Sequence, residues 1–271
     1  MKQKPYEKIT LFWLIITQLM NEPLFIMYGF STIILRKMYV VDELIIAFFV
    51  SVKPVMSILS FYWGAHLAKR PDFLRKNFFL ANILGRLPFL FFPWFVGPWF
   101  LIFSAATYIL FYRAAKPAWI EILRLNASQE KKRKAFSWGF ALSYLEGMVF
   151  ALFFGLILDV YADYWVYLFF FSAIIGFINL YFLGRLPIFF EKERRSFVEE
   201  SWKNWLVSPW MHAKRLLELR GDFAKFQLGF MLCGFGLMFI QPALALLLVD
   251  ILDISYLRFG LAYTSWKGIC I

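Results

Sequence analysis

The sequence predicts an all-α fold, a polytopic α-helical membrane protein. Three observations carry that prediction. Hydrophobic residues make up 61% of the chain and aromatic residues 22%, well above the roughly 45–50% apolar content of a soluble domain. The apolar residues are gathered into runs of about 20, the length needed to cross a hydrocarbon core roughly 30 Å thick. Charged residues are only 17% of the chain and collect in the connections between those runs. In lipid every backbone polar group needs an internal partner, so the runs must be helices or strands of a closed barrel. Short alternating segments, the mark of barrel strands, are not seen.

Segment 1 runs from about Thr10 to Leu35, with Gln18, Asn21, Glu22 and Pro23 near its middle. Arg36 to Glu43 form a short connection, and segment 2, Leu44 to Ala65, carries Lys53-Pro54 at its centre. After a tight basic loop, segment 3 spans Phe78 to Phe95 and holds Arg86. The turn Val96-Gly97-Pro98 leads into segment 4, which extends to Leu123 and contains Arg113 and Lys116. Segment 5, Ala135 to Leu158, has Glu146 centrally, and segment 6 ends near Leu183. The stretch 185–225 is the one long polar run, dense in both charge signs and carrying Trp202, Trp205 and Trp210. It reads equally as an amphipathic helix along a membrane surface or as a solvated linker. Segment 7, Phe226 to Leu248, includes Gln241-Pro242, and segment 8 starts near Tyr256 with about 15 residues, too few to span comfortably. Three regions follow: a six-helix bundle over 1–184, a central loop over 185–225, and the start of a second bundle over 226–271.

The net charge of +11 is placed by topology. Lys2, Lys4 and Lys8 and the loops after segments 2, 4 and 6 hold nearly all the basic residues. The opposite loops hold Arg36, Lys37 and Arg258 together with Asp42, Glu43, Asp159, Asp163, Asp250 and Asp253. The positive-inside rule predicts a cytoplasmic N-terminus and central loop, in a bacterial inner membrane. This alternation is no nucleic-acid footprint, and the lipid bilayer is the predicted partner. Cys233 and Cys270 lie inside apolar runs, and His66 and His212 at the edges of basic loops. Neither pair has ligand spacing. No metal or cofactor motif, HExxH, GxSxG elbow or phosphate loop is present, which argues against an enzyme and predicts no cofactor.

Ionisable side chains at mid-membrane are costly and mark functional sites by default. Glu22, Lys53, Arg86 and Glu146 sit near the centres of their segments, and Arg113 nearer the basic side. Two readings stand. The charges pair internally, Glu22 with Lys53 and Arg86 with Glu146, and hold helices in register. Alternatively some line a polar cavity, where a cation holds an anionic group of a solute and a carboxylate carries a proton. Glu22 and Lys53 are the first choices for a cavity because Pro23 and Pro54 adjoin them and can kink their helices. A weak internal echo joins Asn21-Glu22-Pro23 to Gln241-Pro242, and Ser51-Val52-Lys53-Pro54 to Ser265-Trp266-Lys267-Gly268. It makes Lys53 and Lys267 a pair facing one path from two related halves.

Residues Gly64 to Arg70, followed by Arg75-Lys76, are similar to the G-x-L-A-D-R-x-G-R-R loop of the major facilitator superfamily. Lys69 stands where that family has aspartate, which leaves Asp72 as the carboxylate for the loop's ion pair. RAAKPA, Arg113 to Ala118, resembles the family's fourth-span arginine motif with Pro117 in place of a glycine, and Leu219 to Phe223 is similar in flavour before segment 7. The resemblance implies a major-facilitator-like bundle, two six-helix halves rocking about a midplane site, with Gly64, Arg70, Asp72 and Arg75 at a gating loop. It also implies about four further helices, so the chain reads as a fragment of a longer transporter.

The leading functional expectation is a secondary active transporter, symport or antiport, moving a small polar solute by alternating access, with protons as the coupling ion. Glu22, Lys53, Arg113, Glu146 and Lys267 are its expected solute or proton residues. A non-transporting remnant or assembly subunit is the alternative. A seven-span receptor conflicts with the predicted N-terminal side, and a membrane-embedded enzyme lacks motifs.

Overall fold

The computed structural model describes residues 7–69, 74–185, 202–219 and 221–269, and among them there is no strand. Ten α-helices follow one another: α1 (Glu7–Leu19), α2 (Glu22–Tyr39), α3 (Glu43–Lys69), α4 (Leu74–Arg86), α5 (Pro98–Asn126), α6 (Gln129–Val160), α7 (Trp165–Gly184), α8 (Trp202–Leu219), α9 (Gly221–Leu246) and α10 (Tyr256–Ile269). Among the described residues five stretches are long and apolar enough to cross a membrane: Glu7–Tyr39, Glu43–Gly64, Gln129–Val160, Ala162–Gly184 and Gly221–Ile251. They correspond to segments 1, 2, 5, 6 and 7. Segment 8 is helical from Tyr256, where its start is expected.

Segment 1 is not one continuous helix. It breaks at Met20-Asn21, and α2 restarts with Pro23 in its first turn, where a missing N–H costs nothing. Segment 3 also divides: α4 stops at Arg86 and a 3-10 turn covers Leu87–Phe91, with Pro88 near its start. Proline disfavours α-helical geometry in the residue before it, and the change of helix type falls at that point. Segment 5 begins six residues earlier than expected, at Gln129. Its basic first turns are held by ion pairs from Lys131 to Glu7 at 2.8 Å and from Lys134 to Glu130 at 3.1 Å. Of the two readings of the central stretch, the helical one holds over Trp202–Leu219, which touches α3 through a Trp210 Nε1 to Tyr62 hydroxyl bond of 2.9 Å.

The helices of the first bundle alternate in direction. One end carries the starts of α1, α4 and α6 and the ends of α5 and α7, next to the basic connections; we call it the basic end. The other, the acidic end, carries the turns at 40–42, 92–97 and 161–164. Two apolar clusters fill the bundle. The larger, toward the acidic end, packs Leu24, Met27, Phe30 and Ile34 of α2 against Phe89, Phe92, Tyr108, Trp165 and Phe169. Its aromatic centre is close-set, with Phe169 stacked on Phe89 at 5.1 Å and on Phe92 at 5.2 Å. Offset ring pairs of this kind add attraction beyond the area that they bury. The smaller cluster, toward the basic end, gathers Leu74, Phe78, Ala118, Ile122 and Leu183.

The later helices attach at the acidic end. Helix α10 lies along α6 at backbone contact: a Cβ at Gly155 would come 2.6 Å from Leu257 Cα, and one at Gly260 would come 2.8 Å from the Ala151 carbonyl. Only small residues allow such an approach. The Asp159 carboxylate accepts the backbone N–H groups of Tyr256 at 2.7 Å and Leu257 at 3.2 Å, capping α10. Helix α9 is almost wholly exposed, with Ala245 its one buried residue, as an apolar helix in lipid contact would be.

Candidate functional site

The polar residues of the first bundle converge between the two apolar clusters. The break in segment 1 places Thr17, Gln18, Asn21 and Glu22 on one wall, and the end of α4 places Asn82 and Arg86 opposite. Tyr112, Lys116 and Trp119 of α5 and Asn179 of α7 line the remaining sides of this partly open cavity. Its lining falls in the basic half of the bundle.

Arg86 is the centre of this wall. It is 3% exposed. Its Nη1 donates to the Asn82 carbonyl at 2.8 Å and to Asn82 Oδ1 at 2.7 Å, and its Nη2 donates to Asn21 Oδ1 at 2.7 Å. The Arg86 side chain packs against α7, where Gly176 leaves room: a Cβ there would be 2.5 Å from Nε. Asn179 reaches across to the first helix, donating from Nδ2 to the Thr17 carbonyl at 2.9 Å, while its Oδ1 is buried without a donor. Gln18 Nε2 donates to Ser143 Oγ of α6 at 3.0 Å. The broken helix is thus tied to α4, α6 and α7 by side chains, which offsets the backbone groups freed at the break.

Of the residues expected from sequence, Glu22 lines the cavity as the first residue of α2. Glu146 is next to it without lining the cavity. Its neighbour Gly147 has a Cβ position 3.9 Å from Glu22 Oε2, the two carboxylates act on each other electrostatically, and Glu146 Oε2 is buried without a partner. Lys53 is part-buried in α3, within electrostatic reach of Arg113, and forms no ion pair among the described residues. Arg113 is exposed on α5 and does not line the cavity. Lys267 belongs to α10, with its side chain outside the described residues. At the expected gating loop, Gly64 packs on Pro117, with its Cβ position 3.2 Å from Pro117 Cγ. Arg75 donates to the Gly184 carbonyl at 2.7 Å, and Arg70 and Asp72 lie outside the described residues.

The expected internal pairs do not form. Lys53 has no carboxylate partner among the described residues, and Arg86 is held by two asparagines and not by Glu146. The physical reason is the break at Met20-Asn21, which turns Asn21 toward α4 and leaves Glu22 facing α6. Sequence reasoning gave Arg86 little weight and passed over Asn82 and Asn179. A signal was available: an asparagine inside a lipid-spanning run has to find partners, and both lie one or two turns from a charged or helix-breaking position. Among the described residues no group of three or more His, Cys, Asp or Glu could hold a metal ion.

These elements define the class of protein: an α-helical, multi-pass membrane bundle with a partly open polar cavity. No protein-family model matches the sequence, and no curated protein is significantly similar to it.

Proposed function

We propose that the chain belongs to a secondary active transporter of the major facilitator type, which moves a small polar solute by alternating access with protons as the coupling ion. The observation that carries this reading is the partly open polar cavity set between two apolar clusters of a membrane bundle. Polar and charged groups at that depth are too costly to persist without use. The acidic end is fastened at the same time, by Arg36 to Asp250 at 2.7 Å and Lys37 to Asp253 at 3.2 Å. A site on one side of a fastened end is the arrangement that alternating access requires. Glu146 adjoins Gly147, whose Cβ position lies 3.9 Å from Glu22 Oε2, and the two carboxylates are the proposed place for one shared proton, since neighbouring like charges resist joint ionisation. The membrane is assigned as a bacterial inner membrane, with the N-terminus and α8 on the cytoplasmic side, from the basic loops.

The test is uptake into proteoliposomes under an imposed pH gradient, with a labelled panel of carboxylates, amino acids, sugars and polyols. Glu22→Gln or Glu146→Gln is expected to abolish uphill uptake while leaving solute exchange. Uphill uptake unchanged in both variants refutes proton coupling through this pair. No uptake or exchange of any panel member refutes transport by this chain on its own and favours an assembly subunit.

A further inference from the structure

We infer that the cavity takes a small monocarboxylate, gripped by Arg86, Lys116 and Asn21. This deepens the transport reading of the same cavity and rests on it only in treating the occupant as cargo.

Arg86 is a buried charge coordinated entirely by neutral oxygens, those of Asn82 and Asn21. No carboxylate pairs with it among the described residues. Amide dipoles orient a guanidinium and satisfy its donors, but they leave its full positive charge in place. Three of its five N–H groups are used by these bonds. Nε has no acceptor and lies against Gly176, so one Nη2 N–H is left to bind an incoming oxygen.

Lys116 is a second cation lining the cavity. Its ammonium stands 4.4 Å over the Tyr112 ring, without an ion pair among the described residues. A ring face steadies a cation and adds no formal charge. Asn21 presents its oxygen to Arg86, which leaves its Nδ2 as a donor with no acceptor among the described residues. The lining as a whole therefore carries two cations and one carboxylate, Glu22, a net single positive charge even with Glu22 ionised. One monoanion balances it. A carboxylate is planar, accepts from several donors at once and matches guanidinium geometry. A dianion would leave net negative charge beside Glu22 and Glu146, and a neutral or cationic solute would leave Arg86 uncompensated.

The experiment is equilibrium binding to the full chain in nanodiscs, read by tryptophan fluorescence, since Trp119 is on the cavity wall. The probes are acetate, pyruvate and lactate, each beside its neutral amide, with succinate as the dianion. The expected result is saturable binding of at least one monocarboxylate, with its amide and succinate weaker by about tenfold or more. Arg86→Gln and Lys116→Gln should each weaken that binding by about tenfold, and exposed Lys214→Gln on α8 should not. Lys116 is exposed, so its variant folds even if the Arg86 variant does not. Equal binding of acid and amide, or unchanged affinity in Lys116→Gln, overturns the inference. Carboxylate binding without counterflow sinks the transport reading and leaves this one standing. Counterflow of a neutral solute with no preference for carboxylate does the reverse.

Discussion

Arg36 holds Asp250 across 214 residues of sequence, with Nη2 to Oδ2 at 2.7 Å and Nε to Oδ1 at 2.9 Å. The fork is fixed from behind, because Arg36 Nη1 also donates to the Val41 carbonyl at 2.5 Å, just past the left-handed turn at Val40. Lys37, the next residue, adds a single contact to Asp253 at 3.2 Å. The end of α2 is thereby fastened to the turn between α9 and α10, on the side of the bundle away from the cavity. A two-point fork is more specific than a single contact, yet partial exposure makes it open to salt and to solvent. A fastening that must release and reform is suited by that balance.

A charge swap tests the fork. Arg36→Asp and Asp250→Arg are each expected to lower the thermal midpoint and to raise the labelling rate of a cysteine placed at Ile254, and the double swap to recover both. The same recovery should shrink at high salt. Additive effects in the double variant would mean that the two side chains do not act as a pair.

The contact between Gly176 and Arg86 makes a second prediction. In Gly176→Ala the new methyl would lie 2.5 Å from Nε and 2.6 Å from Cδ of a fully buried side chain, so Arg86 must leave its asparagines. Overpacking of this kind costs about 1–3 kcal/mol. Gly229→Ala on α9 is the control, since nothing lies within 4 Å of its Cβ position. There the better helix propensity of alanine is worth up to about 1 kcal/mol in the opposite direction. Denaturation followed by tryptophan fluorescence should separate the two; equal midpoints would mean that Arg86 has room to spare.

The membrane helices were legible because their signal is additive: twenty apolar residues between charged flanks leave few alternatives, and even the start of α10 at Tyr256 is where composition puts it. The divided segments were harder. Asn21-Glu22-Pro23 permits either a kink or a break, and which one occurs depends on Arg86 and Asn179, contributed from 65 and 162 positions away. Pairing was the least legible. Opposite charges at similar depth predict attraction, so Glu22 with Lys53 and Arg86 with Glu146 were natural expectations. Depth fixes only one of the coordinates a contact needs, and helix rotation, set by packing of residues such as Gly147 and Gly176, decides the rest. Glu22 lines the cavity, whereas Lys53, singled out by the same adjacent-proline argument, is not among the lining residues.

The proposed sidedness rests on the distribution of charge among the loops and can be measured directly. With Cys233 and Cys270 replaced, single cysteines at Tyr161 and at Ser208 are expected to label from opposite sides of intact cells. A membrane-impermeant maleimide should reach Tyr161→Cys from outside and Ser208→Cys only after permeabilisation. The basis is the clustering of Lys and Arg on the connections at the basic end. Reversed labelling would sink the cytoplasmic assignment, and labelling of both from outside would remove a span between them.

The approach of α6 to α10 is the tightest of the tests, because the atoms in the way are backbone. A Cβ on residue 155 would meet Leu257 Cα at 2.6 Å and Leu257 N at 3.0 Å, and no rotamer change relieves a clash with main chain. Gly155→Ala must therefore push α10 outward. The Asp159 carboxylate, one helical turn further on, would then lose the two N–H groups that it caps at 2.7 and 3.2 Å. Losing such a cap costs about 1 kcal/mol, added to the strain. The expected outcome is faster proteolytic cleavage in the turn before Tyr256 and a lower thermal midpoint. Asp159→Asn, which keeps an oxygen acceptor, should show a smaller version of both. If Gly155→Ala leaves cleavage unchanged while Asp159→Asn accelerates it, the capping carboxylate and not the close crossing holds α10 in place.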